Sequence, residues 1–326
     1  MASLPLQGLP EELRARLGYD AGSAAAAEAA LGAAKQREAE RQQAERQRSA
    51  KELKETVQRR YEGLVQSFVR APELRAEVDL RPRFFELDLA VKSQGRRPSC
   101  AIFAVVSALE YLNAEVARKP ERLSEEYLIW ATRRLVRRAA PAPVVAPTQE
   151  NAAEEDDSVL RSDEGFALRE VVQAVRGFGV PLQASMPNTF GSKASDIAEP
   201  SEKVIAEARE RRKVFINQIP GRDAPTAVGN IVHALNAGIP VPVGLRWPHY
   251  RTLRQGLLSE QRPVPGYAHA VTLVGYRCPT ARLEDCVFIF KNSYGVEWGQ
   301  GGYGQVTYGY LSRHLLDAAL IEVQDR

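Results

Sequence analysis

Four residues, Gln94, Cys100, His269 and Asn292, constrain the fold of this 326-residue chain more than anything else in it. They lie in three short segments, SQGRRPSCAIFAVVSALEY (93–111), GYAHAVTLVGY (266–276) and FIFKNSYGVEWGQGGYG (288–304). Pro98 and Ser99 punctuate the start of an apolar run, AIFAVVSALEYL, which predicts a helix of three turns or more with Cys100 on its first turn. Small and apolar residues alternate around His269, which predicts a strand. Any fold that uses the four together must bring an early helix against two late strands.

The chemistry of the four is complementary. A free thiol with pKa about 8.5 is mostly protonated at neutral pH, and a helix N-terminus or a neighbouring imidazolium lowers that value. Cys100 has the helix, and a histidine would supply the imidazolium. The Gln94 side-chain amide and the Cys100 backbone N–H are candidate donors to a developing oxyanion, and Gly95 lets that loop approach closely. Taken singly, each residue has a plainer reading. Cys100 is a small core residue, Gln94 an exposed loop residue and Asn292 a turn residue before Ser293. Of the other histidines, His233 and His314 sit in amphipathic stretches and His249 follows a proline in a loop, so each reads as structural or solvated.

The order and local contexts of these residues resemble the papain-like cysteine peptidases. The Gln-Gly…Ser-Cys pattern is present with the family's spacing, as are a His-Ala-Val strand and an Asn-Ser-aromatic-Gly segment. The resemblance implies Cys100 as nucleophile, paired as thiolate with the His269 imidazolium. It implies Gln94 in the oxyanion hole and Asn292 orienting His269 by accepting its Nδ1–H. Tyr294 stands where the family has its first Trp and Trp298 matches the second; a Tyr is expected to cover the His–Asn bond less completely. The implied fold is α+β, with two lobes, one helical and one an antiparallel, barrel-like β lobe, plus an N-terminal helical extension. An extended peptide would meet the backbone at Gly165, and Gly244, Tyr267, Ala268 and Ala270 would line a pocket with room for an apolar side chain. The implied activity is cysteine endopeptidase. The alternatives are a papain-fold scaffold with little turnover, or a thioester transpeptidase or amidase.

The chain departs from the pattern in several places. Ala101 follows the nucleophile where eukaryotic relatives have Trp, Ala268 replaces a polar residue, and Arg97-Pro98 replaces Cys-Gly, so one family disulfide cannot form. His269 and Asn292 lie farther from Cys100 than about 130–150 residues. Two insertions account for the excess: a Pro-, Ala- and acid-rich segment at 139–162, read as a disordered surface loop, and CPTARLEDC at 278–286.

Residues 1–75 read as a separate helical arm and 76–326 as the catalytic domain. From Ser23 to Phe68 the arm is dense in helix formers, with nine Lys/Arg against five Glu over 35–60. Leu53, Val57, Tyr61, Leu64, Val65 and Phe68 form a stripe expected to dock. The arm precedes the catalytic domain as a pro-segment would but lacks the spaced Glu-Arg-Phe-Asn pattern of the commonest ones, so an oligomerisation or partner-binding helix is the slightly favoured reading. A net charge of +3 does not point to nucleic acid, and no run has the apolar length to span a bilayer. The scattered His and Cys residues predict no metal, and no cofactor is implied. MASLPLQGLPEELRARLGYD lacks the features of a secretory signal, which predicts a cytoplasmic protein in which Cys278 and Cys286, facing across a hairpin, stay reduced.

Overall fold

The run after Ser99 is apolar on every face, so it can be satisfied only by complete burial. In the computed structural model, which describes residues 21–68, 70–117, 119–139, 165–211, 214–219, 223–249 and 253–323, it is the central helix α3 (Cys100–Ala117). Two elements precede it besides the N-terminal helix α1 (Ala21–Ser67): a short strand β1 (Glu77–Asp79) and helix α2 (Arg81–Glu86). After α3 come α4 (Glu125–Ala139), α5 (Leu168–Phe178) and α6 (Glu202–Arg209). Ile102, Val105 and Leu109 of α3 are fully buried in one core with Tyr127, Leu128 and Ile129 of α4 and Val171 and Val175 of α5.

The remaining strands and helices form the β half. These are β2 (Val214–Gln218), α7 (Ala224–Asn236), β3 (Val241–Pro248), β4 (Leu257–Leu258), β5 (Pro263–Arg277), β6 (Val287–Lys291), β7 (Tyr303–Thr307), α8 (Tyr308–His314) and β8 (Leu315–Val323). They make one sheet in the order β2-β8-β3-β5-β6-β7-β4, with β1 on β5. Every pairing is antiparallel except β4 with β7. The architecture is α+β, as expected. Asp223 caps α7 by accepting from the Thr226 N–H at 2.8 Å, and Gly238, at φ +73°, ends it where a side chain would be strained. The long strand β5 changes character midway: it is exposed or nearly so through Ala268 and buried from His269 to Tyr276. Its buried end packs on α3, where the Thr272 hydroxyl donates to the Ala104 carbonyl at 2.9 Å. That contact ties the two halves together just below Cys100.

The chain divides into two compact units, Met1–Thr56 and Val57–Arg326. The last turns of α1 therefore belong to the larger unit. Within it Leu64 is buried and Tyr61 and Phe68 pack on the core, while Val65 of the expected stripe is exposed. The side chains of Leu53 and Val57, and nearly all of the 139–162 insertion, lie outside what the structure describes.

The expectation of two thiols at 278 and 286 is not met. Cys278 and Cys286 are joined, with Cα atoms 4.3 Å apart, because the antiparallel β5–β6 ladder pairs Arg277 with Val287 and so brings the two flanking residues face to face. Cys100 is the one free cysteine. Thiol titration of unreduced, denatured protein should find one thiol per chain, rising to three after reduction; three from the outset would contradict the bridge.

Candidate active site

Cys100 opens α3. Ser99 precedes it as the cap residue, its carbonyl accepting the Phe103 N–H at 3.2 Å. The backbone N–H groups of Ala270, Ala101 and Cys100 itself engage the sulfur and favour its thiolate, as a helix N-terminus should. Burial acts against them and is the larger effect, so the thiol is pushed up from its ordinary value. The Ala270 contact also sets His269, one residue earlier on β5, at the mouth of the same site.

His269 is 3% exposed and burial pushes its pKa down to about 4, against a smaller opposing effect from its bond to Asn292. That bond runs from Nε2 to Asn292 Oδ1 at 2.7 Å. The nitrogen differs from the expected Nδ1, because β5 presents the ring with Nε2 toward the Asn segment. Asn292 Oδ1 also accepts the Ser293 N–H at 2.8 Å, so this oxygen is an acceptor and Nε2 carries the proton. The lone pair of His269 is then on Nδ1, 3.3 Å from the Tyr294 hydroxyl. The Tyr294 ring stacks on the imidazole at 4.6 Å, and Trp298 meets Tyr294 edge-on at 5.8 Å. Trp247 covers the imidazole from another side, also at 4.6 Å. With His269 and Asn292 both buried, the Tyr at 294 does not leave the pair open as expected. Trp247 was not singled out from sequence; its place on β3, paired to β5 beside His269, is a long-range fact.

Gln94 is buried, and its side chain is fixed at both ends. Ser293 Oγ donates to Gln94 Oε1 at 2.6 Å, and Gln94 Nε2 donates to the Arg97 carbonyl at 2.9 Å. An amide has two N–H groups, so one remains to face the cleft. The backbone is held as well: the Gln94 N–H donates to the Ser293 carbonyl at 2.8 Å and the Gly295 N–H to the Lys92 carbonyl at 3.2 Å. Lys92 itself is clamped between Glu110 and Glu125, each at 2.6 Å. Arg97, at the position where the family pattern has a cysteine, is fully buried against Glu126 at 2.6 Å and donates to the Lys193 carbonyl at 2.9 Å. Ser293, Lys92 and Arg97 are the residues sequence reasoning missed. Ser293 stands inside the Asn-Ser motif, which is the one signal that pointed to it.

Gln94, Cys100 and His269 open on a cleft of about 730 Å³ between α5 and the β half. Gly165, Gly244, Tyr267, Ala268 and Ala270 all line it, so the structure brings every predicted cleft residue to the same place. The floor near Gly244 is not the apolar one expected. The Gly244 N–H bonds to Asp317, and a Cβ at Gly244 would come within 2.2 Å of Asp317 Oδ1, so a larger residue would displace that carboxylate. Among the described residues no group of three His, Cys, Asp or Glu is placed to hold a metal ion.

Comparison with known proteins agrees with this geometry. A family model described as papain family cysteine protease matches residues 178–317, which include His269 and Asn292 but not Gln94 or Cys100. The viral cathepsin of Orgyia pseudotsugata multicapsid polyhedrosis virus is 25% identical over 238 residues, 72% of this chain, which spans 60% of that protein's length. Xylellain, a cysteine protease from Xylella fastidiosa, is similar in structure with a TM-score of 0.57 at 20% identity, covering 79% of this chain and 88% of its own. Procathepsin L 3 of the Tenebrio molitor larval midgut gives a TM-score of 0.53 at 19% identity, covering 81% of this chain and 79% of its own. The fold and the cleft between its halves define a two-lobed papain-like protein. By fold the chain is papain-like, and its residues 178–317 match that family model.

Burial thus opposes the charged form of each partner of the expected ion pair. The rate of Cys100 alkylation by iodoacetamide should rise through the alkaline range as the thiol ionises. A rate that stays flat down to about pH 4 would mean that the thiolate–imidazolium pair is already formed.

Proposed function

We propose that this chain is a cysteine endopeptidase in which Cys100 and His269 act together. The observation that carries the reading is that a thiol at a helix N-terminus, a tautomer-fixed imidazole and a clamped glutamine amide line one cleft large enough for a peptide. As a substrate carbonyl approaches, Nδ1 of His269 takes the Cys100 proton while the sulfur attacks the carbonyl carbon. The resulting oxyanion sits between the free Gln94 N–H and the Cys100 backbone N–H; losing one such donor typically costs about 10²–10³ in rate. Nδ1–H then protonates the leaving amine, the C–N bond breaks, and a thioester remains on Cys100. Nδ1 next takes a proton from water, whose oxygen attacks the thioester carbon; the C–S bond breaks, the proton passes from Nδ1 to the sulfur, and the acid leaves. Because neutral Nδ1 is the acceptor, chemistry persists at any pH above the His269 pKa and falls once the ring is protonated.

The last turns of α1 support an oligomerisation or partner-binding role for residues 1–75. Tyr61 and Arg60 share a small cavity with Leu112, Val116 and Ile321, and Leu64 is buried nearby. Leu112 and Val116 lie three to four turns along α3 from Cys100, about 18–24 Å away at 1.5 Å per residue. A pro-segment that inhibits must reach the cleft, and this stretch docks at the other end of the helix. Among the described residues no helix is long and apolar enough to cross a membrane. The Cys278–Cys286 bridge favours an oxidising compartment over the cytoplasm.

Cys100→Ala should abolish cleavage of a denatured protein substrate while leaving the circular dichroism spectrum unchanged, and the acid limb of wild-type kcat/KM should fall near pH 4. Turnover surviving in Cys100→Ala would remove the sulfur from its role. Products bearing added amines, seen by mass spectrometry, would turn the reading toward transpeptidation. Deleting residues 1–56 should leave turnover unchanged and lower the assembly mass in solution; raised turnover at constant mass would favour an inhibitory segment.

A further inference from the structure

We infer that the cleft selects peptides carrying an acidic side chain close to the scissile bond, an inference that rests on the cleft being a peptide-binding site. Helix α5 buries one face through Leu168, Val171 and Val175 and turns the opposite face outward. Arg169, Gln173 and Arg176, spaced i, i+4 and i+7, line the cleft from that outer face. Among the described residues lining the cleft Asp317 is the single carboxylate, against these two guanidinium groups. The Asp317 carboxylate is already engaged by the Gly244 N–H and faces Arg169. Glu170, the acid nearest in sequence, accepts the Ala167 N–H at 2.9 Å. Among the described residues Arg176 has no ion pair or side-chain hydrogen bond. Among the described residues one cation on this wall is therefore uncompensated and a second is shared.

A carboxylate entering the cleft replaces solvent around Arg176 with a charge-assisted bond, and the planar guanidinium can take it through two parallel N–H donors. A basic side chain reaching for Asp317 would instead pass two like charges, with the carboxylate already occupied. An apolar side chain gains contact with Ala268, Ala270 and Ala318 but leaves the arginines as they are. Of the three classes, the acidic one is the one that the charge on the wall selects.

The test uses the full-length chain bearing Cys100→Ala, so that binding is read without turnover. Fluorescence anisotropy is measured with four labelled alanine octapeptides carrying Glu, Gln, Leu or Lys at the central positions, in 50 mM and 500 mM NaCl. The Glu peptide should bind about fivefold or more tighter than its Gln isostere at low salt, in the range expected for a partly desolvated charge pair. The preference should shrink at high salt and vanish in Arg176→Gln, with Arg169→Gln reducing it less. Equal or tighter binding of the Gln, Leu or Lys peptide overturns the inference, as does a Glu preference that survives Arg176→Gln or the absence of binding by every peptide. Wild-type digestion separates this from the peptidase reading. Cleavage of an unfolded protein without acidic preference keeps the peptidase and ends the inference, whereas Glu-selective binding without any cleavage keeps the inference and ends hydrolysis.

Discussion

Everything at the cleft depends on two short backbone segments being held side by side, Lys92–Gln94 and Ser293–Gly295. Their ladder is brief: one N–H from Gln94 to Ser293, one from Gly295 to Lys92, and a bridge between Ser93 and Tyr294. So few bonds would not fix a loop alone. What fixes it is Lys92, whose ammonium is buried between Glu110 of α3 and Glu125 of α4. Burial works against the charged form of Lys92, and the two carboxylates more than offset it, so its pKa lies above the ordinary value. Removing one member of such a cluster strands the others and typically costs about 3–5 kcal/mol. The helices of one half thereby position the Gln94 amide against Ser293 of the other.

The Arg97–Glu126 pair does the same on the opposite side of Gln94. It sits where the papain-like pattern has a cysteine, and it pins the loop before Cys100 to α4 without a covalent bond. Arg97 also reaches the Lys193 carbonyl and Thr189. A Cβ on Gly191 would come within 2.3 Å of the guanidinium. The 189–193 loop is therefore shaped around this side chain, which replaces a local crosslink with a contact network of much wider reach.

What could be read from the sequence was local. Cys100 on the first turn of an apolar helix follows from Pro98, Ser99 and the composition beyond them. The strand around His269 follows equally from a short pattern. The papain-like arrangement as a whole was legible because three motifs occur in the right order. What was not legible depends on partners distant in the chain. Trp247 covers His269 only because β3 pairs with β5, and Asp317 lies over Gly244 only because β8 lies on the other side of β3. The imidazole nitrogen facing Asn292 is a matter of ring orientation, which no spacing encodes. The balance of effects on the Cys–His pair was not legible for a related reason. Helix-end and imidazole effects can be read from residue types, but the opposing effect of burial is known only once the site is built.

From His269 the hydrogen bonds run through Asn292 and Ser293 to Gln94 and end on the Arg97 carbonyl. Beyond the imidazole itself, this line contains amides, a hydroxyl and backbone groups, none of which gains or loses a proton across the physiological range. This line of hydrogen bonds is accordingly silent to acidity, whereas the Glu125 carboxylate that holds Lys92 beside it, pushed up by burial, is not. An acid limb in turnover would then report the sulfur, the imidazole, the bound peptide or the Lys92–Glu125 clamp, and not the hydrogen bonds that join Asn292, Ser293 and Gln94.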